Sequence, residues 1–408
     1  MSGLLVIGLA YAISLILQWA HAATPLFSAT VLACAIPYLI SANLIYGGVR
    51  LPAADQGSMR LLTTALPFLL TPLGFAIFQA NYSRGAIVLT FLLTMAWFSL
   101  ADHLFVKRRF RLLCIDQNAK ERLERLLVDA PEQAQRTFEM LPWLPQSNGP
   151  SEAETCDGAL IDPQAGTSPM RGALLADLKL RHVRLYTPET IAESITGLLT
   201  SKTLGDELWQ IEGNPAYDLL KRVIDFTLTL LLAPIWLPLL ALIALAIRLD
   251  SPGPAVFRQH RVGLHGRPFT LVKFRSMRHD PHAPTDFTVH DDPRITRIGR
   301  FLRRTHLDEL PQLWNVLVGD MSLIGPRPEQ TAFVEQFARE LPAYPYRHLV
   351  RPGLTGWAQV CQGYTASADE TLTKLGYDLY YVSNYSLAMD LLICLKTLKV
   401  LLTGEGSR

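Results

Sequence analysis

Five long apolar stretches limit what this chain can fold into. Four of them, Leu4–Ala23, Leu26–Tyr46, Leu61–Ala80 and Ala86–Phe105, are about 20 residues each, enough to cross roughly 30 Å of hydrocarbon. Their polar residues Gln18, His21, Asp102 and His103 fall near the ends, where a polar group costs least. A chain that is 49% hydrophobic and only 18% charged is too apolar for an ordinary soluble enzyme of this size. The sequence therefore predicts a four-helix transmembrane bundle over residues 1–106. Arg50 and Arg60 lie between spans two and three, and Lys107, Arg108, Arg109 and Arg111 follow span four. Positive-inside reasoning places both ends of the bundle, and all that follows, in the cytoplasm. A plain anchor is preferred for the bundle over a lipid-binding chamber. The first apolar segment lacks a basic leader, so no cleavable signal is read. The five cysteines, Cys34, Cys114, Cys156, Cys361 and Cys394, form no C-x-x-C pair and suggest neither a disulfide framework nor a zinc site.

The fifth stretch, Phe226–Ile247, runs 22 residues without a charge. Pro234 and Pro238 fall inside it, where proline kinks or breaks a helix. Both flanks are basic, with Lys221 and Arg222 before and Arg248, Arg258 and Arg261 after, so a spanning helix would carry positive charge to the outer side. A re-entrant helix that enters the inner leaflet, bends at the prolines and returns satisfies both facts.

Between the bundle and this segment, residues 107–205 alternate short strand and helix patterns. Strands are predicted at Arg111–Ile115, Gly158–Asp162 and His182–Tyr186, and helices at Ala119–Val128, Gly172–Leu180 and Pro188–Leu199. Such alternation argues a small α/β unit with a parallel sheet. The turn after the first strand reads CIDQNAKERL, with no glycine to admit a dinucleotide, so a structural or regulatory module without a cofactor is expected. Leu141–Thr155, rich in Pro, Ser and Gly, is read as a loop.

From Arg248 to Glu309 the chain holds 12 Lys/Arg against 7 Asp/Glu. Arg294, Arg297, Arg300 and Arg303 recur every third residue and are placed on one side of a helix. That side suits lipid headgroups or a phosphate. Nucleic acid is not expected, because the patch adjoins a membrane segment and lacks interleaved aromatics. The patch leads to Asp308 and Glu309, just ahead of a helix with Leu310, Leu313, Trp314, Leu317 and Val318 in one predicted buried stripe. Pro311 is tolerated only in a first turn, so this helix cannot begin much before Asp308. The acid pair then lies at the positive end of the helix dipole, where phosphates commonly bind. Pro326-Arg327-Pro328 holds an arginine in a stiff extended loop after the helix. An N-capped core helix with a Pro-rich turn explains these residues equally well. The tail, Tyr377–Leu402, reads either as an interfacial segment or as a core helix of the same domain.

KRVIDF (Lys221–Phe226), SPGPAVFRQHRVG (Ser251–Gly263), FTLVKFRSM (Phe269–Met277), DDPRITRIGRFLRRTHLDELPQLWNVLVGDMSLIGPRPE (Asp291–Glu329) and RPGLTGWAQV (Arg351–Val360) occur in order. Together they closely resemble the bacterial monotopic phosphoglycosyl transferases, also called bacterial sugar transferases. The likeness runs from Lys221 to the C-terminus, and the whole layout is similar to large, four-span members. It implies a membrane α plus α/β architecture, with the bundle, a degenerate nucleotide-binding-like domain at 107–205 and a catalytic domain at 206–408.

The resemblance implies transfer of a sugar 1-phosphate from a UDP-sugar to undecaprenyl phosphate at the inner membrane lipid surface, with release of UMP. Asp308 stands at the position of the nucleophile, and Glu309 at that of the partner carboxylate associated with Mg²⁺. Arg303 and Lys273 match phosphate-contacting positions, and Pro326, Arg327 and Pro328 match the motif linked to nucleotide-sugar binding. Large members suggest a homodimer. Here Leu237 precedes Pro238 where small members have Ser-Pro, and Ser276 replaces the usual Thr. A polytopic transferase using Asp291-Asp292 would need more spans than four. A catalytically idle scaffold would not need Asp308, Glu309 and Arg327 together.

Overall fold

The structure, a computed structural model, describes residues 2–20, 24–46, most of 64–105, 110–128, 138–142, 156–166, 169–200, 213–278, 294–362 and 368–403. The chain divides into two compact units, Met1–Thr200 and Ser201–Arg408.

In the first unit, α1 (Ser2–Trp19), α2 (Pro25–Tyr46) and α3 (Arg84–Phe105) fall on the first, second and fourth apolar stretches. The described residues between 64 and 76 in the third stretch are also helical. Helices α1, α2 and α3 pack against one another with small or hydroxyl side chains inside, among them Ala10, Ser14, Cys34, Ala86, Thr90 and Thr94. Leu9, Ile16, Leu32, Ile36, Leu92 and Met95 face outward. A bundle in water buries its large aliphatic residues, whereas helices packing in lipid bring small residues together. The apolar portions Ile7–Trp19, Pro25–Leu39 and Arg84–Trp97 are each shorter than 18 residues, and among the described residues only Ala233–Asp250 is long and apolar enough to cross a membrane.

The α/β portion of this unit comprises β1 (Phe110–Cys114), α4 (Gln117–Leu126), β2 (Phe138–Pro142), β3 (Gly158–Leu160), α5 (Pro169–Leu180), β4 (Arg184–Tyr186) and α6 (Pro188–Thr196). The sheet order is β2-β1-β3-β4, and every pairing is parallel, as the alternation predicts. Leu112 and Leu160 pack with Leu123 and Ile191 on one face, while Leu113 and Ala159 meet Leu178 on the other. Coverage of both faces is the usual condition of a parallel sheet. Strand β2 was not read from the sequence. It is an edge strand ending at Pro142, which cannot donate to a ladder, and Leu141 and Pro142, assigned to the following loop, belong to it. Arg171 bridges the carboxyl ends of β1 and β3, donating to Asp116 Oδ2 at 2.8 Å and to the Asp162 carbonyl at 2.7 Å.

The second unit opens on α7 (Pro215–Leu231) and α8 (Ala233–Asp250), which meet at Leu232. The break lies just before Pro234, which sits in the first turn of α8 and would have supplied no N–H to the Leu230 carbonyl. Pro238 is carried inside α8 without ending it. The Trp236 indole donates to the Thr229 carbonyl at 2.9 Å across the break. Outward on α8 lie Ile235, Leu242, Leu245 and Leu249, all exposed.

The last polar turn of α7 ties this helical pair to three other elements. Lys221 pairs with Asp390, Arg222 donates to the Val316 and Leu317 carbonyls, and Asp225 accepts from the Leu323 N–H at 3.3 Å. Those partners lie on α14 (Leu387–Thr403), α10 (Gln312–Val318) and β7 (Ser322–Ile324). Around them are the antiparallel hairpin β5 (Val256–Val262)–β6 (Pro268–Phe274), α9 (Arg297–Arg304), α11 (Thr331–Glu340), β8 (Gly353–Thr355, parallel to β7), α12 (Trp357–Cys361) and α13 (Ala368–Asn384). Tyr380, Tyr381, Leu392 and Ile393 are buried, and Tyr381 donates to Asp390 Oδ1 at 2.7 Å. The core reading of the tail therefore holds over most of α13 and the first half of α14, while Leu398 and Leu401 remain exposed.

Candidate active site

Asp308 and Glu309 lie in a single 3-10 turn, Leu307–Glu309, one turn before α10 begins. The helix does start beyond Asp308, but its buried face is not the predicted one. Trp314 and Val318 are more than half exposed, whereas Gln312, Asn315 and Val316 are buried. The reason is Asn315. Its carboxamide accepts from the Val272 N–H at 3.1 Å and donates to the Thr270 carbonyl at 2.8 Å, fastening α10 to β6 by its polar side. His306 enters the acidic turn with φ 54°, a left-handed conformation that a non-glycine residue adopts at a cost.

Helix α9 delivers Arg303. Thr296 caps it by accepting from the Gly299 N–H at 2.9 Å, and Gly299 lies so close to β6's exit that a Cβ there would stand 1.9 Å from the Ser276 carbonyl oxygen. This close approach lets Arg303 Nε donate to Ser276 Oγ at 2.8 Å, so the hydroxyl at position 276 orients the arginine. Of the four arginines assigned to one helical side, Arg297, Arg300 and Arg303 lie in α9, and Arg294 precedes it. His279, His282, His290, Asp291 and Asp292 lie outside the described residues.

Lys273 from β6 and Arg327 from the loop after β7 converge on Glu309. Lys273 Nζ donates to Oε1 at 2.9 Å, and Arg327 contacts Oε1 at 2.5 Å and Oε2 at 3.2 Å. Burial alone would push the Glu309 carboxyl up, but Arg327 and Lys273 together hold it well below the usual carboxylate range. Asp308 differs. Burial and then the Glu309 charge push its carboxyl up, against the pull of Lys273, Arg303 and Arg327. Burial, helped by Arg327, lowers Lys273. Pro326 and Pro328 are both buried and fix the backbone that presents Arg327. One carboxylate is thus locked between two cations, and its neighbour lies under the influence of three, with no hydrogen bond to its oxygens among the described residues.

Residues 216–404 match the model of the bacterial sugar transferase family. Over 236 residues the chain is 46% identical to the UDP-N-acetylgalactosamine-undecaprenyl-phosphate N-acetylgalactosaminephosphotransferase of Aeromonas hydrophila, covering 57% of this chain and 56% of that protein. It is 46% identical over 195 residues to the UDP-glucose:undecaprenyl-phosphate glucose-1-phosphate transferase of Caulobacter vibrioides, covering 47% of this chain and 73% of that one. The chain belongs to the bacterial sugar transferase family. A third member, the exopolysaccharide production protein PSS of Rhizobium leguminosarum, is 44% identical over 195 residues, 98% of its length and 46% of this chain. The match spans about half the length of the Aeromonas protein.

The resemblance to this family brings Mg²⁺ with it, and the donor set can be compared with what the ion needs. Among the described residues no group of three His, Cys, Asp or Glu could cage a metal. Mg²⁺ is commonly held by only one or two carboxylates together with substrate phosphates. Glu309, kept ionised, and the adjacent Asp308 fit that mode, though not a metal held by protein alone. Two residues at the site escaped the sequence reading in this role. Arg261 and Arg347 stand behind the Arg327 loop. The sequence presents Arg261 as a basic flank within SPGPAVFRQHRVG, and a single buried arginine in YPYRHL carries no periodic or spacing signal.

Proposed function

We propose that this bacterial sugar transferase moves a sugar 1-phosphate from a UDP-sugar to undecaprenyl phosphate, releasing UMP, through an aspartyl phosphosugar intermediate. The observation that carries the reading is the asymmetry of the acid pair: Glu309 takes three hydrogen bonds from Lys273 and Arg327, while among the described residues no such bond engages the Asp308 carboxylate beside it. A nucleophile must keep its oxygens available, and an anchoring carboxylate must not.

In the first step an Asp308 oxygen attacks the β-phosphorus of the donor. The bond from that phosphorus to the bridging oxygen breaks, and UMP departs with the electron pair. Arg303, Lys273 and Arg327 stabilise the charge that develops on the phosphoryl oxygens, in a half-buried site where such stabilisation is larger than in water. In the second step an oxygen of undecaprenyl phosphate attacks the same phosphorus and returns Asp308 as a carboxylate. When bound, Mg²⁺ would be held by Glu309 and neutralise part of the diphosphate charge.

The reading includes a place in the cell. The inside-out packing of α1–α3 supports a four-span bundle in the inner membrane. The exposed aliphatic face of α8, the break at Leu232 and the basic residues on both flanks support a re-entrant hairpin with both ends in the cytoplasm. The relatives' names cite both N-acetylgalactosamine and glucose, so the hexose is left to a panel of UDP-sugars. The Rhizobium relative's name supports a role in exopolysaccharide production.

The test is release of UMP by the purified protein given a UDP-sugar and undecaprenyl phosphate, with intact mass measured after the donor alone. Asp308→Asn should lose transfer by about 10³-fold or more and gain no phosphosugar mass. Full turnover by that variant would rule out the covalent route.

A further inference from the structure

A segment reading Pro-Arg-Pro can be held in place mainly through its carbonyls, because two of its three residues have no N–H. Here four successive carbonyls are each taken by a donor from elsewhere in the second unit. The Pro326 carbonyl accepts from the Gly353 N–H at 2.9 Å, and the Glu329 carbonyl from the Val262 N–H at 3.0 Å. Between them, the Pro328 carbonyl accepts from Arg261 Nη1 and the Arg327 carbonyl from Arg347 Nη2, both at 2.9 Å.

Arg347 is the more deeply placed of the two arginines, 3% exposed on the 3-10 turn Tyr344–Leu349. Its Nη1 donates to Tyr344 Oη at 2.8 Å, and Nη2 also donates to Asp378 Oδ2 at 2.6 Å. Asp378, on α13, is 2% exposed. The buried pair keeps Arg347 charged, and its Nε finds no hydrogen-bond partner among the described residues. Leaving a buried donor unpaired is costly, and a residue placed only for stability would not be expected to carry that cost.

We propose that Arg347 is a positioning residue: paired with Asp378, it holds the Arg327 carbonyl so that the Arg327 guanidinium meets Glu309. The proposal rests on the reading of Arg327 as a donor-binding residue for its kinetic consequence, though not for its geometric one.

The test replaces the buried pair with apolar residues of similar volume, Arg347→Met with Asp378→Leu, a kind of exchange that often preserves folding. Arg347→Lys serves as a second variant that keeps the charge but not the fork that serves Tyr344 Oη through Nη1 and the Arg327 carbonyl and Asp378 through Nη2. Phenylglyoxal labelling of Arg327, followed by peptide mass spectrometry, reads its exposure without any turnover. In either folded variant Arg327 should label several-fold faster than in the parent chain, with UDP-sugar kcat/KM lowered about 10- to 100-fold, mainly through KM. Parental labelling in a variant that melts like the parent would overturn the proposal, as would a loss of kcat with KM unchanged. If the parent chain releases no UMP, the proposed function fails, while the labelling still decides the position of Arg327.

Discussion

Arg327 grips Glu309 with two N–H···O contacts, at 2.5 and 3.2 Å, each from a different guanidinium nitrogen to the carboxylate. A planar fork on a carboxylate fixes orientation as well as charge. This contact joins the loop after β7 to the acidic turn before α10, and Lys273 closes it from β6. Replacing Arg327 with Lys keeps a cation but loses the second contact. UDP-sugar turnover should fall about 10- to 100-fold, and Arg327→Ala should fall further. Steady-state UMP release checks the order; equal activity of the Lys variant would show that the fork is not needed.

The acid limb of the pH–rate profile should belong to Asp308. Burial and Glu309 raise its carboxyl above the ordinary 3.8, and only the ionised form can attack. Activity therefore falls as pH drops through that raised value. Arg303→Ala removes one of the cations that favour the carboxylate, so its limb should move to higher pH. Profiles of kcat/KM across the acid limb of the parent chain and of the variant test this. An unmoved limb would mean that Arg303 does not act on Asp308.

Glu329 supplies a stability test with the opposite sign. Burial would raise it, but Lys374 and Arg347 pull it from 4.5 down to about 2. A carboxylate depressed on folding contributes stability that is present above the unfolded value and lost as pH falls through the folded one. The contribution is about 3 kcal/mol, present above pH 4.5 and gone near pH 2. Melting temperatures of the parent chain should drop across that window. Those of Glu329→Gln should start lower and change less.

Gly299→Ala should cost several kcal/mol, since its Cβ would lie 1.9 Å from a backbone oxygen that cannot swing away. The first turn of α9 would have to retreat from β6 and carry Arg303 off Ser276. We expect a lower melting temperature together with a phosphate-transfer defect. Ser276→Ala, which removes only the hydroxyl, should show the defect with little loss of stability.

Arg222 donates to the Val316 and Leu317 carbonyls, two acceptors left open at the end of α10. Arg222→Ala should destabilise the second unit by about 2–3 kcal/mol, because charged hydrogen bonds to both carbonyls go at once. Denaturant or thermal melting reads the loss, and Arg222→Lys should recover only part of it.

Much of this protein is set by local rules that a sequence displays. The apolar stretches fall on α1, α2, α3 and the α7–α8 pair because hydropathy and length act residue by residue. The parallel sheet follows from alternating patterns, and Pro234 marks the helix break because a missing N–H has the same effect in any context. Asp308, Glu309, Arg303, Lys273 and Arg327 stand in contiguous motifs that the sequence displays. Tertiary structure decided what depends on groups distant in sequence. Asn315, bonded to β6, turned α10 so that Trp314 and Val318 face outward and polar residues face in. Glu309 and Asp308 are adjacent and chemically alike, yet one is locked by Lys273 and Arg327 and the other left open. Arg261 and Arg347 each reach a carbonyl far along the chain. An electrostatic environment is a sum over neighbours in space, and the order of residues does not state who those neighbours will be.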